Sequence, residues 1–179
     1  MATTLDGSPD TPRTAPLTLD ALARSSVGEL TRIYREAEAP SSLSALAGPL
    51  RGRMLTLAGP LGRGTKRRAV ASVARAWFFP WRGKTFEAFD ERAGQGINRV
   101  HLLGERYRFE LGFGESALDG RRCVVLDYDV ADNPWPIRQI RDELRELSPG
   151  LFLGPALVTT RTEPKLVLFF AVDAGGDRR

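Results

Sequence analysis

Apolar and polar positions follow two different periods along the chain, and the change falls near residue 80. After a first stretch rich in Thr, Pro and Asp (residues 1–17), Leu19, Leu22, Ala23, Val27, Leu30, Ile33 and Tyr34 recur at three- and four-residue steps. That spacing predicts an amphipathic helix capped by Thr18 and ended by Pro40. Residues 41–49 read as a connector and Arg51–Leu57 as a short strand. A Gly/Pro loop, Gly59–Gly64, leads into a second expected helix over Lys66–Phe79, with Val70, Val73, Ala74 and Trp77 on one side and Pro80 as its breaker.

From Trp81 the period shortens towards two. Thr85–Asp90, Ile97–Leu103, Tyr107–Phe113, Arg122–Val130, Leu151–Thr160 and Leu166–Asp173 all read as strands. Gly104-Glu105-Arg106 and Arg161-Thr162-Glu163-Pro164 read as hairpin turns. Pro136–Leu147 fits either type; Ile137, Ile140, Leu144 and Leu147 match a helix face, and we take a short helix there. Six to eight short strands with few long helices after residue 80 predict a mainly β, β-rich α+β protein: an antiparallel barrel or sandwich preceded by N-terminal helices. Residues 1–17 are expected to be a disordered tail, and 18–179 one domain, helical over 18–79 and β over 81–173.

Composition narrows the classes further. At 179 residues, with 42% hydrophobic and 27% charged, the chain buries a core without disulfides or structural metal. One cysteine, Cys123, and one histidine, His101, exclude a disulfide framework and a zinc site built mainly on Cys and His, so no metal and no cofactor is expected. No apolar run reaches membrane-helix length, and Met1–Pro12 lacks the basic and apolar regions of a secretory signal, so a cytoplasmic location is expected. The net charge is +4, and 23 of the 26 basic residues are arginine. Nine basic residues and no acidic one lie between Arg51 and Lys84, whereas acids are frequent from Glu105 to Glu146. The basic stretch fits either a solvated face or a surface for phosphates of nucleic acid or an anionic membrane. No recognition helix, paired RNA-stacking aromatics or zinc finger supports nucleic acid.

Familiar catalytic motifs fail on spacing. Gly59–Lys66 has Gly-Thr-Lys where a phosphate loop needs Gly-Lys-Ser/Thr, and Phe78 stands where the first glycine before Gly83-Lys84-Thr85 belongs. Gly94-Gln-Gly96 lacks the third glycine of a dinucleotide fingerprint. No Gly-x-Ser-x-Gly elbow is present, and Cys123 sits in an apolar strand, where free cysteine packs as an inert residue.

Three constellations remain. Trp77–Phe86 is the densest aromatic segment, fit for core packing or for the wall of an apolar site. In Asp127-Tyr128-Asp129, strand alternation puts both carboxylates on the face of Cys123 and Val125, and Tyr128 on the other. An interior position would force those carboxylates to pair, with Arg141 and Arg145 as partners, or to shift in pKa; otherwise Asp129 caps the turn at Asp132-Asn133-Pro134. Asp142-Glu143, within the alternating charges of Arg138–Glu146, reads as a salt-bridged exposed face. Asn98 and His101 complete the polar candidates.

Trp81-Arg-Gly-Lys-Thr-Phe86, Asp127-Tyr128-Asp129, Asn133-Pro134, Ile137–Glu143 and Pro149–Gly154 together resemble lipocalin-like (calycin-type) bacterial barrels. The Trp-x-Gly-Lys-x-Phe and Tyr-Asp segments are also similar to pieces of GXWXG-type domains, although the nearest match to Gly-x-Trp-x-Gly reads Arg51-Gly-Arg-Met-Leu. The resemblance covers residues 81–173 and implies a closed antiparallel barrel around an apolar interior. The leading expectation is binding of a hydrophobic small molecule of fatty acyl, polyketide or isoprenoid type inside such a barrel, with Trp77, Trp81, Phe86, Asn98, Phe109, Phe113 and Phe152 as lining candidates. An alternative is a cofactor-independent cyclase or isomerase in the same barrel, with Asp127, Asp129, His101 or Tyr128 as acid or base. A third is an interaction protein acting through the basic segment.

Overall fold

A computed structural model describes residues 17–58 and 81–175. The expected helix over Lys66–Phe79, and Trp77 with it, lies outside the described residues, as do the Gly59–Gly64 loop and residues 1–16. Eight strands follow one another as an antiparallel meander: β1 (Gly48–Leu57), β2 (Trp81–Ala88), β3 (Ala93–Val100), β4 (Gly104–Glu115), β5 (Arg122–Asp127), β6 (Ile140–Ser148), β7 (Leu151–Val158) and β8 (Lys165–Asp173). β8 pairs with β1 and closes the barrel. Closure removes the sheet edges that a meander of this length would otherwise expose.

The interior takes one parity of each strand. Leu50, Phe86, Phe109, Leu111, Val124, Leu126, Tyr128, Ile140, Leu144, Phe152, Ala156, Leu168, Phe170 and Val172 form one buried cluster. The opposite parity of β7 and β8, with Leu151, Leu153, Phe169 and Ala171, forms a second cluster outside the barrel wall, covered by Leu19, Leu22, Leu30 and Tyr34. This is why β7 is buried at every residue: it has a core on both faces.

The covering residues come from two helices, not the single one that the periodicity predicts. α1 (Leu19–Leu22) is capped by Thr18, and α2 (Val27–Glu36) restarts at Ser26. Ser26 and Glu29 form a reciprocal capping box that satisfies the N-terminal donors of α2. The expected connector contains a 3-10 helix, Leu43–Leu46, whose two leucines join the interior cluster. Leu43 N–H donates to the carbonyl of Glu91 in the β2–β3 turn, which places this helix at one end of the barrel. The strand registers put the last residues of β1, β3, β5 and β7 at the other end.

Two further sequence expectations are corrected. Pro136–Leu147 is not a helix: only Ile137–Gln139 turns, as a 3-10 segment, and β6 begins at Ile140. Pairing with β5 and β7 wins over a helical spacing carried by four residues. The β3–β4 turn lies at 101–103 and Gly104 already belongs to β4.

Candidate functional site

β2 carries the first half of the site. Its register against β3 shifts between Trp81 and Gly83, where Gly83 has φ 142°. This bulge changes the parity of the strand, so Trp81 packs on the interior cluster although it stands three residues from Lys84 and five from Phe86. A Cβ at Gly83 would come within 2.1 Å of the Leu50 carbonyl, so only glycine fits. A second irregularity falls between Ile97 and Asn98 on the β3–β4 ladder, where Tyr107 takes φ 59°. It turns the Tyr107 carbonyl to the Asn98 side-chain amide, which donates to it at 3.3 Å.

These two bulges, with β5 and β6, gather four polar side chains in the interior near the Trp81 end: Lys84, Asn98, Tyr128 and Asp142, all buried. Lys84 Nζ donates to Asp142 Oδ2 (2.8 Å), Asn98 Oδ1 (2.9 Å) and the Tyr128 hydroxyl (2.5 Å). All three ammonium donors are thereby used. Asn98 Oδ1 also accepts from Trp81 Nε1 at 3.1 Å, and its amide donates to the Tyr128 hydroxyl at 3.0 Å. Tyr128 donates in turn to Asp142 Oδ2 at 3.1 Å. The rings of Trp81, Phe109, Tyr128 and Phe170 surround Lys84 Nζ at 5.0–5.4 Å from their centroids, a cage that favours a cation.

One atom stands outside this accounting. Asp142 Oδ1 is fully buried and has no hydrogen-bond partner among the described residues. Burial raises the Asp142 pKa, opposed by the Lys84 charge, and lowers that of Lys84, opposed by Asp142. Burial and the Asp142 charge push the Tyr128 hydroxyl well above its ordinary range, so it stays a donor.

The expected residues divide sharply. Trp81, Phe86, Asn98, Phe109, Tyr128 and Phe152 belong to the interior. Phe113 packs half-buried on the interior cluster, with the Arg122 guanidinium 3.8 Å from its ring centroid. Asp127 and Asp129 are exposed on the outer face, as Tyr128's interior position requires. Asp129 pairs with Arg138, not with Arg141 or Arg145, and Asp127 Oδ1 accepts from the Asp129 N–H. The Asp132-Asn133-Pro134 turn is held by Asn133, whose amide donates to the carbonyls of Tyr128 and Arg108. His101 is exposed in the β3–β4 turn.

Asp142 and Glu143 do not form an exposed charged face; both are buried, on opposite sides of β6. Glu143 accepts from Tyr34, Ser116, the Ala117 N–H and Arg141 beneath α2. Lys84 and Asp142 are the site residues that sequence reading passed over. The signal was parity: once β6 is read as a strand, Asp142 shares a face with Ile140 and Leu144. No group of three or more His, Cys, Asp or Glu among the described residues could hold a metal ion.

No family model matches the chain, and no curated protein matches it. A solved structure of a protein from Thermomonospora curvata is similar at 18% identity and a TM-score of 0.48, over 83% of this chain and 87% of that one.

Proposed function

We propose that the Trp81 half of the barrel interior binds a small, largely apolar molecule that carries a hydrogen-bond donor, in the manner of a lipocalin-like carrier. The unpartnered Asp142 Oδ1 carries this reading. A buried polar atom without a partner costs about 1–3 kcal/mol, and such exceptions in a folded interior ask for an occupant. A hydroxyl or amide N–H on the ligand supplies it. The other polar atoms of the cluster are matched to one another, so the site has one polar preference and otherwise offers aromatic walls. An eight-stranded barrel is wide enough to hold one small ligand. Fatty acyl, polyketide and isoprenoid alcohols or amides meet this description.

The raised pKa of Asp142 favours a second reading, a cofactor-independent cyclase or isomerase. A carboxyl group shifted towards neutrality and bonded to a tyrosine hydroxyl suits proton transfer to or from a bound substrate.

Native mass spectrometry of the purified protein, with the released contents identified, tests both. One apolar molecule with a hydroxyl or amide per chain is the expected result. It should be lost from the Lys84→Met/Asp142→Leu variant, which removes both charges together, in protein whose urea denaturation matches the parent. A molecule released unchanged after incubation marks a carrier, and one released as its isomer marks an enzyme. A protein that stays empty when offered long-chain alcohols, amides and isoprenoid alcohols overturns the proposal.

A further inference from the structure

The Trp81 end of the barrel presents large apolar side chains to water. Leu102 is 89% exposed and Leu103 56%, both in the β3–β4 turn. Trp135, in the β5–β6 connection at the same end, is 70% exposed. Leu102 is held at φ 66°, a conformation uncommon for a leucine, which presents the pair at the tip of the turn. Beside them is a surface pocket of about 290 Å³ whose lining includes Arg82, Arg99, Val100, His101, Leu102 and Glu105. Neither Arg82 nor Arg99 forms an ion pair among the described residues, while Glu105 accepts from Thr85. β1 ends and β2 begins at this end; in the sequence between them, residues 59–80 carry five basic residues and no acidic one.

Unpaired arginines around a pocket, with leucines and a tryptophan projecting past them, match the two layers of a lipid surface: anionic headgroups outside, acyl chains within. We infer that this end of the barrel docks on an anionic membrane. The Arg82–Arg99 pocket takes a headgroup phosphate, and Leu102, Leu103 and Trp135 enter the acyl boundary. Lone exposed leucines are ordinary on protein surfaces. Here the two leucines adjoin an arginine-lined pocket and share the tryptophan's end of the barrel. Docking through this end would face the barrel end nearest the Lys84–Asp142 cluster towards the bilayer, where apolar molecules are stored. The inference does not depend on the interior being a binding site.

Co-sedimentation of the full chain with phosphatidylcholine vesicles, with and without phosphatidylglycerol, tests it. Binding should require phosphatidylglycerol and weaken with salt. Arg82→Gln/Arg99→Gln should bind about thirtyfold more weakly, from about 1 kcal/mol per basic residue at the surface. Leu102→Asp/Leu103→Asp should lose binding; Arg82, Leu102 and Leu103 are exposed and Arg99 is half-buried, so urea denaturation of both variants should match the parent. Their mass-spectrometric occupancy should equal that of the parent, which separates this test from that of the interior site. Three results overturn the inference. One is absence of vesicle binding. A second is binding that survives in the leucine variant and is lost only when Lys66, Arg67 and Arg68 are changed to Gln. The third is affinity for RNA or inorganic phosphate without affinity for vesicles.

Discussion

Asp142 and Glu143 are consecutive residues buried on opposite faces of β6, and their carboxylates are solvated in opposite ways. Glu143 receives four hydrogen bonds, both oxygens engaged, under the cover of α2. Asp142 receives two, both on Oδ2, inside the barrel. The first arrangement leaves no capacity for anything else and locks the α2 helix to the β4–β5 connection. The second holds capacity in reserve. One peptide unit therefore separates a structural carboxylate from a candidate ligand-binding one.

The Lys84–Asp142 pair should respond to single and double replacement very differently. Lys84→Met leaves the Asp142 carboxylate buried without its cation, which costs about 3–5 kcal/mol. Asp142 then prefers its neutral form, so its folded pKa rises further above its unfolded value. That stability is present below about pH 4 and is lost as pH rises through the folded pKa. Urea denaturation should find the single variant closer to the parent near pH 5 than near pH 8. Lys84→Met/Asp142→Leu removes both charges and should recover most of the loss at either pH. A double variant as unstable as the single one would show that the pair is needed by the fold itself.

Cys123 should be inert in the native protein. It is fully buried on the outer face of β5, and burial, with the Glu143 charge second, pushes its thiol up to about 12. The thiolate is the reacting form, so a disulfide reagent at neutral pH should label Cys123 only as fast as the protein unfolds. The same shift has a thermodynamic side. Tyr34 is also pushed far above its ordinary range by burial, and in the unfolded chain both groups ionise earlier. Stability should therefore fall as pH rises above about 9. Labelling at the same rate in native and unfolded protein would contradict the burial of this strand face.

Much of the barrel is legible in the sequence because its strands are half-buried and alternate. Alternation separates Tyr128 from Asp127 and Asp129, whereas β7 and β8 are readable as continuous apolar runs on either side of the Arg161–Pro164 turn, since both of their faces are buried. The site is less legible for two reasons. Its members are brought to one side by bulges at Gly83 and Tyr107, and a bulge breaks the parity rule on which face assignments rest. In addition, β6 places charged residues on both of its faces. Asp142, Glu143 and Arg145 are all buried, yet in sequence they look like the charged side of a helix. Nothing local distinguishes a solvated carboxylate from one that meets a lysine 58 positions away. The division of the first helix was readable: Ser26 and Glu29 have capping-box spacing, hidden by the continuity of the apolar period.

Arg145 and Asp119 should set the acid limit of the fold. Arg145 is fully buried over the Tyr34 ring and donates to Asp119 through two nitrogens, at 2.7 Å each, and to the carbonyls of Tyr34, Arg121 and Arg122. Its hydrogen bonds hold the Asp119 carboxyl below its ordinary pKa. A lowered folded pKa contributes stability that is present above the unfolded value of 3.8 and lost as pH falls through the folded value. Acid unfolding should begin below that point. Asp119→Ala leaves a buried guanidinium without its counter-charge and should cost about 3–5 kcal/mol at neutral pH. Asp119→Asn, which keeps hydrogen-bond acceptance and removes charge, should fall between. Equal stability of all three proteins at neutral pH would remove Arg145–Asp119 as an anchor between the barrel and α2.

Gly154 should tolerate no side chain. It lies in β7 opposite β6, and a Cβ there would come within 1.6 Å of the Glu143 carbonyl oxygen and 2.8 Å of its carbon. Both are backbone atoms of the neighbouring strand, so no rotamer change relieves the contact. Gly154→Ala must push β6 and β7 apart where Asp142 and Glu143 are held, and should cost about 3 kcal/mol, the upper range for overpacking, or more. Gly120→Ala makes a useful contrast: it has φ 71° but open space around it, so its cost is backbone strain alone, of order 1 kcal/mol. Thermal denaturation of the two variants should therefore separate them by several degrees. The Gly154 variant should also lose amide-exchange protection on β6 and β7 first, because the displaced ladder is the one that carries both buried carboxylates.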